Sequence, residues 1–304
     1  MEIDRFLSYI QYEKRASEHT LAAYRTDLKQ YVTYLEAQQW IAGPTEHDSS
    51  VGHSHIRSWV VELMQLGRKP QSIRRKLATL KSYYRFLLEK QVITQNPMRK
   101  VQLPRVGRTR PDVVPAEQME RVLLDHHFTD DYKGLRDRLV LEILYGTGMR
   151  RGELLRLTLA DARVAEGVFS VTGKGGKQRL LPFYPGMREV LEAYLECRAS
   201  EHPAAGDALL LTDKGKPLYP KAVYNIVQRH LSLVPHLERR SPHILRHSFA
   251  THLMDGGADL NALKDLMGHS SLAATQLYTH TTPDKLRKAY EQAHPKGRGE
   301  REEQ

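Results

Sequence analysis

The chain has 304 residues and a formal net charge of +10, from 46 Lys and Arg against 36 Asp and Glu. Its composition, 40 % apolar and 27 % charged, excludes a collagen-like or wholly disordered polymer, and its length suits two domains. No apolar run nears the ~18 residues needed to cross a bilayer, the start MEIDRFLSYIQYEKR does not read as a signal peptide, and a single Cys197 excludes a disulfide framework or a cysteine zinc finger. The expectation is a soluble, cytoplasmic protein without membrane insertion.

The first ~90 residues read as helices only. Ile3, Phe6, Leu7 and Ile10 predict a short first helix. Ser17-Glu-His-Thr20 precedes a second, with Leu21, Tyr24, Leu28, Tyr31 and Leu35 on one face. Gly43-Pro44 breaks the chain. Ile56, Trp59, Val60, Leu63 and Met64 predict a third helix, stopped by Gly67. Ile73, Leu77, Leu80, Tyr84, Leu87 and Leu88 share one face of a fourth.

The positive charge is concentrated. Residues 1–65 carry 6 bases and 9 acids, residues 66–110 carry 13 and one, and residues 111–304 carry 27 and 26. The middle stretch, net +12, overlaps the fourth helix. Arg74, Lys81 and Arg85 lie beside its apolar face, and Gln71, Ser72 and Tyr83 add hydrogen-bonding groups. A basic run is often only a solvated face. Here it flanks a packed helix, which suits contacts to the phosphates of nucleic acid. Residues 91–111 read as a basic linker, because prolines at 97, 104 and 111 forbid a continuous helix.

A second domain is expected from Asp112. Met119, Val122 and Leu123 start a helix, and Leu135, Leu139, Ile143 and Leu144 form another that ends at Gly146-Thr-Gly148. Arg150 to Leu157 opens the next. Val168 to Thr172, a glycine-lysine turn and Arg179 to Pro182 read as a β-hairpin. Helices are expected near 186–199, 220–232, 243–255, 259–267 and 283–292. The domain is mostly helical with one small sheet.

Several chemistries can be set aside. The chain has no P-loop, no dinucleotide-binding glycine pattern, no H-E-x-x-H zinc motif and no G-x-S-x-G elbow. No cofactor and no metal are expected, despite the grouping of His243, His247 and His252.

What remains is a set of basic groups and a tyrosine. Ser241-Pro242 reads as a helix start, which places His243 and Arg246 on one face three residues apart. His269 precedes Tyr278 by nine residues. Arg150 sits in a glycine-bounded turn at a helix start, where its fork and free N–H groups suit a phosphate or a helix-capping ion pair. Lys174 and Lys177 tip the hairpin. A tyrosine can attack phosphorus if the developing charge is neutralised. Arginines can clamp a phosphodiester, histidines can move protons, and a lysine can protonate the leaving 5′ oxygen.

The segments SEHTLAAYRTDLKQYVTYL, QSIRRKLATLKSYYRFLLEK, TGMRRGELLRL, VTGKGGKQRLLP and SPHILRHSFATHLMDGGADLNALKDLMGHSSLAATQLYTH follow one another in an order that strongly resembles the tyrosine recombinase (phage integrase) family, and within it the bacterial XerC/XerD recombinases. The resemblance covers nearly the whole chain. It implies a mainly α architecture: an N-terminal four-helix, SAM-like core-binding domain over 1–90, the basic linker 91–111, a mostly helical catalytic domain with a small antiparallel β-sheet over 112–294 (the DNA breaking-rejoining fold), and a flexible tail over 295–304. The two domains would clamp duplex DNA. By the family's motifs the catalytic set falls on Arg150, Lys174 (with Lys177 its neighbouring candidate), His243, Arg246, His269 and the nucleophile Tyr278, and Glu153 supports it. Arg74, Lys81, Arg85 and Lys177 are the candidate DNA contacts.

The implied reaction is metal- and ATP-independent strand transfer at a specific recombination site through a 3′-phosphotyrosine, resolving chromosome dimers before cell division. The implied partners are duplex DNA, a homo- or hetero-tetramer with a second Xer-type recombinase, and a septal DNA translocase of the FtsK kind. Leu286, Ala289, Tyr290 and Ala293 would dock on a neighbouring subunit, with packing on their own domain as the alternative. Competing readings are a mobile-element integrase, a type IB topoisomerase, and an architectural DNA-binding protein.

Overall fold

The computed structural model describes residues 2–41, 51–104, 112–124, 127–173, 176, 178–268, 290 and 292–296. It separates into two compact units, Met1–Thr109 and Arg110–Gln304, each with its own core.

The first unit is helical. Helix α1 (Glu2–Ser8) runs into a π-helical turn (Tyr9–Glu13). Helix α2 (Glu18–Ala37) starts where the Ser17 hydroxyl accepts from the Thr20 N–H, satisfying one free helix-end donor. Helices α3 (His53–Gln65) and α4 (Pro70–Glu89) follow, α4 with Pro70 at its start. Phe6, Leu28, Tyr31, Leu35, Ile56, Ile73, Leu77, Leu80, Tyr83, Tyr84 and Leu87 are buried among them. Gly43-Pro44 lies outside the described residues.

Three sequence expectations change. Leu88 and Met64 are exposed, at the edges of their apolar stripes rather than in the core. Tyr83 is fully buried against Phe6 and Tyr84, so it does not serve the basic surface. The stretch read as linker from residue 91 begins as part of the core. Ile93 and Met98 are buried, and Pro97–Lys100 forms a 3-10 turn capped by Asn96. Prolines forbade a helix there but not packing.

The second unit opens with α5 (Ala116–Val122), which starts at Pro115 without a side-chain cap. Helix α6 (Tyr132–Thr147) is buried on nearly every side and packs on α8 (Pro185–Glu201) and α10 (Pro242–Asp255). Between α6 and α8 lie the short α7 (Arg151–Leu154) and an antiparallel sheet in the order β1-β2-β3, formed by Ala162–Arg163, Val168–Thr172 and Gln178–Pro182. Val171 faces Arg179 and Phe169 faces Leu181, so Arg179 shares the sheet face that buries Phe169 and Leu181. Helices α9 (Pro220–His230) and α11 (Leu260–Met267) complete the described α-helices.

The helix expected near 283–292 lies largely outside the described residues. Tyr290, Ala293 and His294 are buried in their own unit, against Phe249 and Tyr145. In the single chain Tyr290 and Ala293 thus pack on their own domain, the alternative reading, against the aromatic rings of α6 and α10, while Leu286 and Ala289 lie outside the described residues.

Candidate active site

Helix α6 ends at Gly148, which adopts the left-handed conformation (φ 62°). Any Cβ there would stand 2.2 Å from the Phe249 ring, so the turn requires glycine. It delivers Arg150 to the position before α7. The Arg150 N–H donates to Glu153 Oε2 at 2.7 Å, and its Nη1 donates to Oε1 at 3.1 Å. The capping ion pair anticipated from sequence is present, and the Arg150 side chain stays nearly half exposed.

Glu153 is buried and accepts a second guanidinium. Arg179 of β3 donates Nη1 to Oε1 at 3.0 Å and Nη2 to Oε2 at 2.9 Å. Burial pushes the Glu153 pKa up, but the Arg179 hydrogen bonds, the Arg150 backbone N–H and both positive charges outweigh it and hold the carboxyl at about 2.

A third guanidinium completes the cluster. Pro242 opens α10 as expected, although the Ser241 hydroxyl makes no capping bond. Arg246 is buried one turn into the helix and donates to Gly148 O at 2.5 Å and to Met267 O at 2.6 Å. Burial lowers its pKa to about 10, and the charges of Arg150 and Arg179 add to the effect.

The three arginines meet at the C-terminal end of α11. Arg179 Nε donates to Leu266 O at 3.1 Å, Arg246 Nη2 to Met267 O, and Arg150 Nη2 to Gly268 O at 3.2 Å. A helix C-terminus carries unpaired carbonyls and partial negative charge, which cations satisfy. The result is a focus of three cations around one carboxylate, with Arg150 its open member. Such a focus suits an anion of phosphate geometry.

His243 lies on α10 one turn before Arg246 and is exposed. His252 is a core residue. It bonds Tyr145 Oη through Nδ1 at 2.9 Å, and burial lowers its pKa. No group of three metal-ligating side chains occurs among the described residues. Lys174, Lys177, His269 and Tyr278 lie outside them.

In the first unit Arg74, Lys81 and Arg85 are all exposed on α4. Arg85 is paired with Glu89 at 2.9 Å. Arg75, which sequence reasoning passed over, projects half-exposed from the same helix and binds Asp27. Arg179 was missed as well. Its alternation with Leu181 marks a charge on a core-facing position, and such a charge demands a buried partner.

Comparison with known proteins decides the family. The phage integrase family model matches residues 113–285, and the phage integrase N-terminal SAM-like domain matches residues 3–91. The chain belongs to the phage integrase family. It is a tyrosine recombinase, a DNA strand-transferring enzyme of site-specific recombination. The recombinase is 37 % identical to tyrosine recombinase XerC of Chlorobaculum parvum, over 96 % of this chain and 94 % of that one. It is 34 % identical to tyrosine recombinase XerD of Staphylococcus saprophyticus, over 97 % and 98 %. Its fold matches the Tn1549 transposon integrase solved with circular intermediate DNA, at TM-score 0.70, 22 % identity, and 94 % and 98 % coverage. No helix among the described residues is long and apolar enough to cross a membrane.

Proposed function

We propose that this recombinase resolves chromosome dimers to monomers in the cytoplasm, working as a tetramer with a second Xer-type recombinase on two DNA sites under a septal translocase. The observation that carries the site assignment is the convergence of Arg150 and Arg246, braced by Glu153, beside the chain segment that leads to His269.

The scissile phosphate sits on Arg150 and Arg246, which neutralise its non-bridging oxygens as charge develops. Tyr278 Oη attacks phosphorus and gives its proton to His243 or His269. The bond to the 5′ oxygen breaks, and that oxygen takes a proton from Lys174, with Lys177 the neighbouring candidate. A 3′-phosphotyrosine results. A 5′-hydroxyl from the partner duplex then attacks phosphorus, and the phenol leaves with a returned proton. One phosphate ester replaces another at each step, so no nucleotide is consumed. Arg74, Lys81, Arg85 and Lys177 hold DNA phosphates away from the reacting bond.

The test is covalent trapping on a nicked duplex carrying a candidate resolution site, in chelator and without ATP. Wild type should leave a protein–DNA adduct on a denaturing gel, and Tyr278→Phe should leave none. An adduct with Tyr278→Phe, or none with wild type when the genome's nearest paralogue is added to a tightly bound site, would overturn the assignment.

A further inference from the structure

We infer that Arg179 is a positioning residue for Arg150: it occupies Glu153 and the end of α11 so that the Arg150 guanidinium stays open to the scissile phosphate. This inference rests on the phosphate-binding role proposed for Arg150.

One carboxylate offers donors about four lone-pair sites. Glu153 receives four donors, two from Arg179 and two from Arg150. Arg179 takes both oxygens in a two-pronged fork, the geometry that binds carboxylates most tightly. Arg150 is left with one side-chain contact to Glu153 and one to Gly268 O. Among the described residues three of its five side-chain N–H donors take no protein acceptor, on a side chain that solvent reaches.

Arg179 also controls the second contact. Its Nε bonds Leu266 O, two residues before the carbonyl that Arg150 uses. The Arg179 guanidinium lies against Gly268, about 3.1 Å from the place a Cβ would take. Arg179 therefore braces both anchors of Arg150. Its bonds among the described residues go to Glu153 and Leu266 O, and its side chain is 15 % exposed, against 44 % for Arg150.

Without Arg179 the buried Glu153 keeps Arg150 as its hydrogen-bonded cation, with Arg246 acting only through its charge. The Arg150 fork then turns inward to take both oxygens, and the donors meant for phosphate are withdrawn. Arg179→Gln should lower single-turnover cleavage of the nicked duplex on the order of 10- to 100-fold, the scale of a misplaced catalytic group. DNA affinity should stay within about twofold, since most affinity comes from contacts along the backbone. Arg179→Lys, with a single charged head that reaches one anchor but not both, should fall between wild type and Arg179→Gln.

The decisive readout is coupling. Glu153→Gln removes the charge that draws Arg150 inward, so Arg179→Gln with Glu153→Gln should cleave no more slowly than the slower single variant. Losses that multiply in the double variant would overturn the inference, as would wild-type cleavage by Arg179→Gln or by Arg179→Lys. Melting curves show whether each variant is folded, and Arg179→Lys keeps the question open to refutation if Arg179→Gln is not. Failure of the parent reading is seen separately, as the absence of any adduct with wild type.

Discussion

Arg75 of α4 grips Asp27 of α2 with both guanidinium arms, at 2.5 and 2.8 Å. Asp27 is wholly buried, and it also receives Lys76 Nζ at 3.0 Å and Thr79 Oγ1 at 2.9 Å. Lys76 is itself buried and donates to Gln30 as well. Asp27→Ala would strand the Lys76 ammonium without a counter-ion. Unfolding free energy of the first unit should fall by about 3–5 kcal/mol. Arg75→Gln should cost less, about 1–2 kcal/mol, because Lys76 still pairs with Asp27. Both tryptophans of the chain, Trp40 and Trp59, belong to this unit, so urea unfolding followed by tryptophan fluorescence reads it alone.

The basic face of α4 makes a separate prediction. Arg74 and Lys81 are exposed, and no ion pair involving them occurs among those the structure describes. Each changed to Gln should lower the slope of log affinity against log salt by about 0.9, one phosphate contact apiece. Arg85→Gln should lower it by less, because Glu89 already offsets that charge. Anisotropy titrations of a labelled duplex at several salt concentrations measure all three. Equal slopes for wild type and variants would remove α4 from the DNA interface.

The elements were legible because each carries a local signal. The 3.6-residue periodicity of α4, the glycine stop after α6 and Pro242 at the start of α10 act within a few residues of themselves. Arg150, His243 and Arg246 were legible because short motifs hold them. Arg179 was not, since its partners Glu153 and Leu266 lie 26 and 87 residues away. Tyr83 and Tyr84 are adjacent and both buried, which one amphipathic stripe does not predict; the crossing of α1 over α4 covers the second face. The self-packing of Tyr290 was not legible either. A helical stripe tells that a face is covered, not by which surface.

Gly256 follows α10 with ordinary right-handed angles, φ −74° and ψ 0°, which alanine adopts without strain. Its hydrogen nevertheless faces the Ala293 carbonyl so closely that a Cβ would stand 2.1 Å from that oxygen. Gly256→Ala should therefore expel Tyr290 and residues 292–296 while the rest of the unit stays folded. The His294 N–H, which donates to Tyr290 O at 2.8 Å, is the reporter. Losing the buried tyrosine contact costs about 2–3 kcal/mol, so exchange there should speed by roughly 30- to 150-fold. Unchanged protection would mean that α10 gives way instead.

His294 makes the same segment sensitive to pH. The imidazole is fully buried among the rings of Tyr145, Tyr184, Phe249 and Tyr290. Burial lowers its pKa from 6.5 to about 3. Its Nδ1 accepts from the Lys296 N–H at 3.1 Å, which also requires the neutral ring. The docked state therefore binds fewer protons than the undocked one. Docking is at full strength above pH 6.5 and is lost progressively as pH falls toward 3. Between pH 6.5 and 5 it should weaken by about 2 kcal/mol, one and a half pKa units. Lys296 also bonds Glu142 Oε1, at 3.2 Å, which ties the segment to α6. Limited proteolysis near Lys296 should accelerate on going from pH 7 to pH 5 in wild type. In His294→Phe, which fills the same space and does not titrate, the rate of cutting should be flat. A pH effect of equal size in both proteins would place the sensitivity in another group.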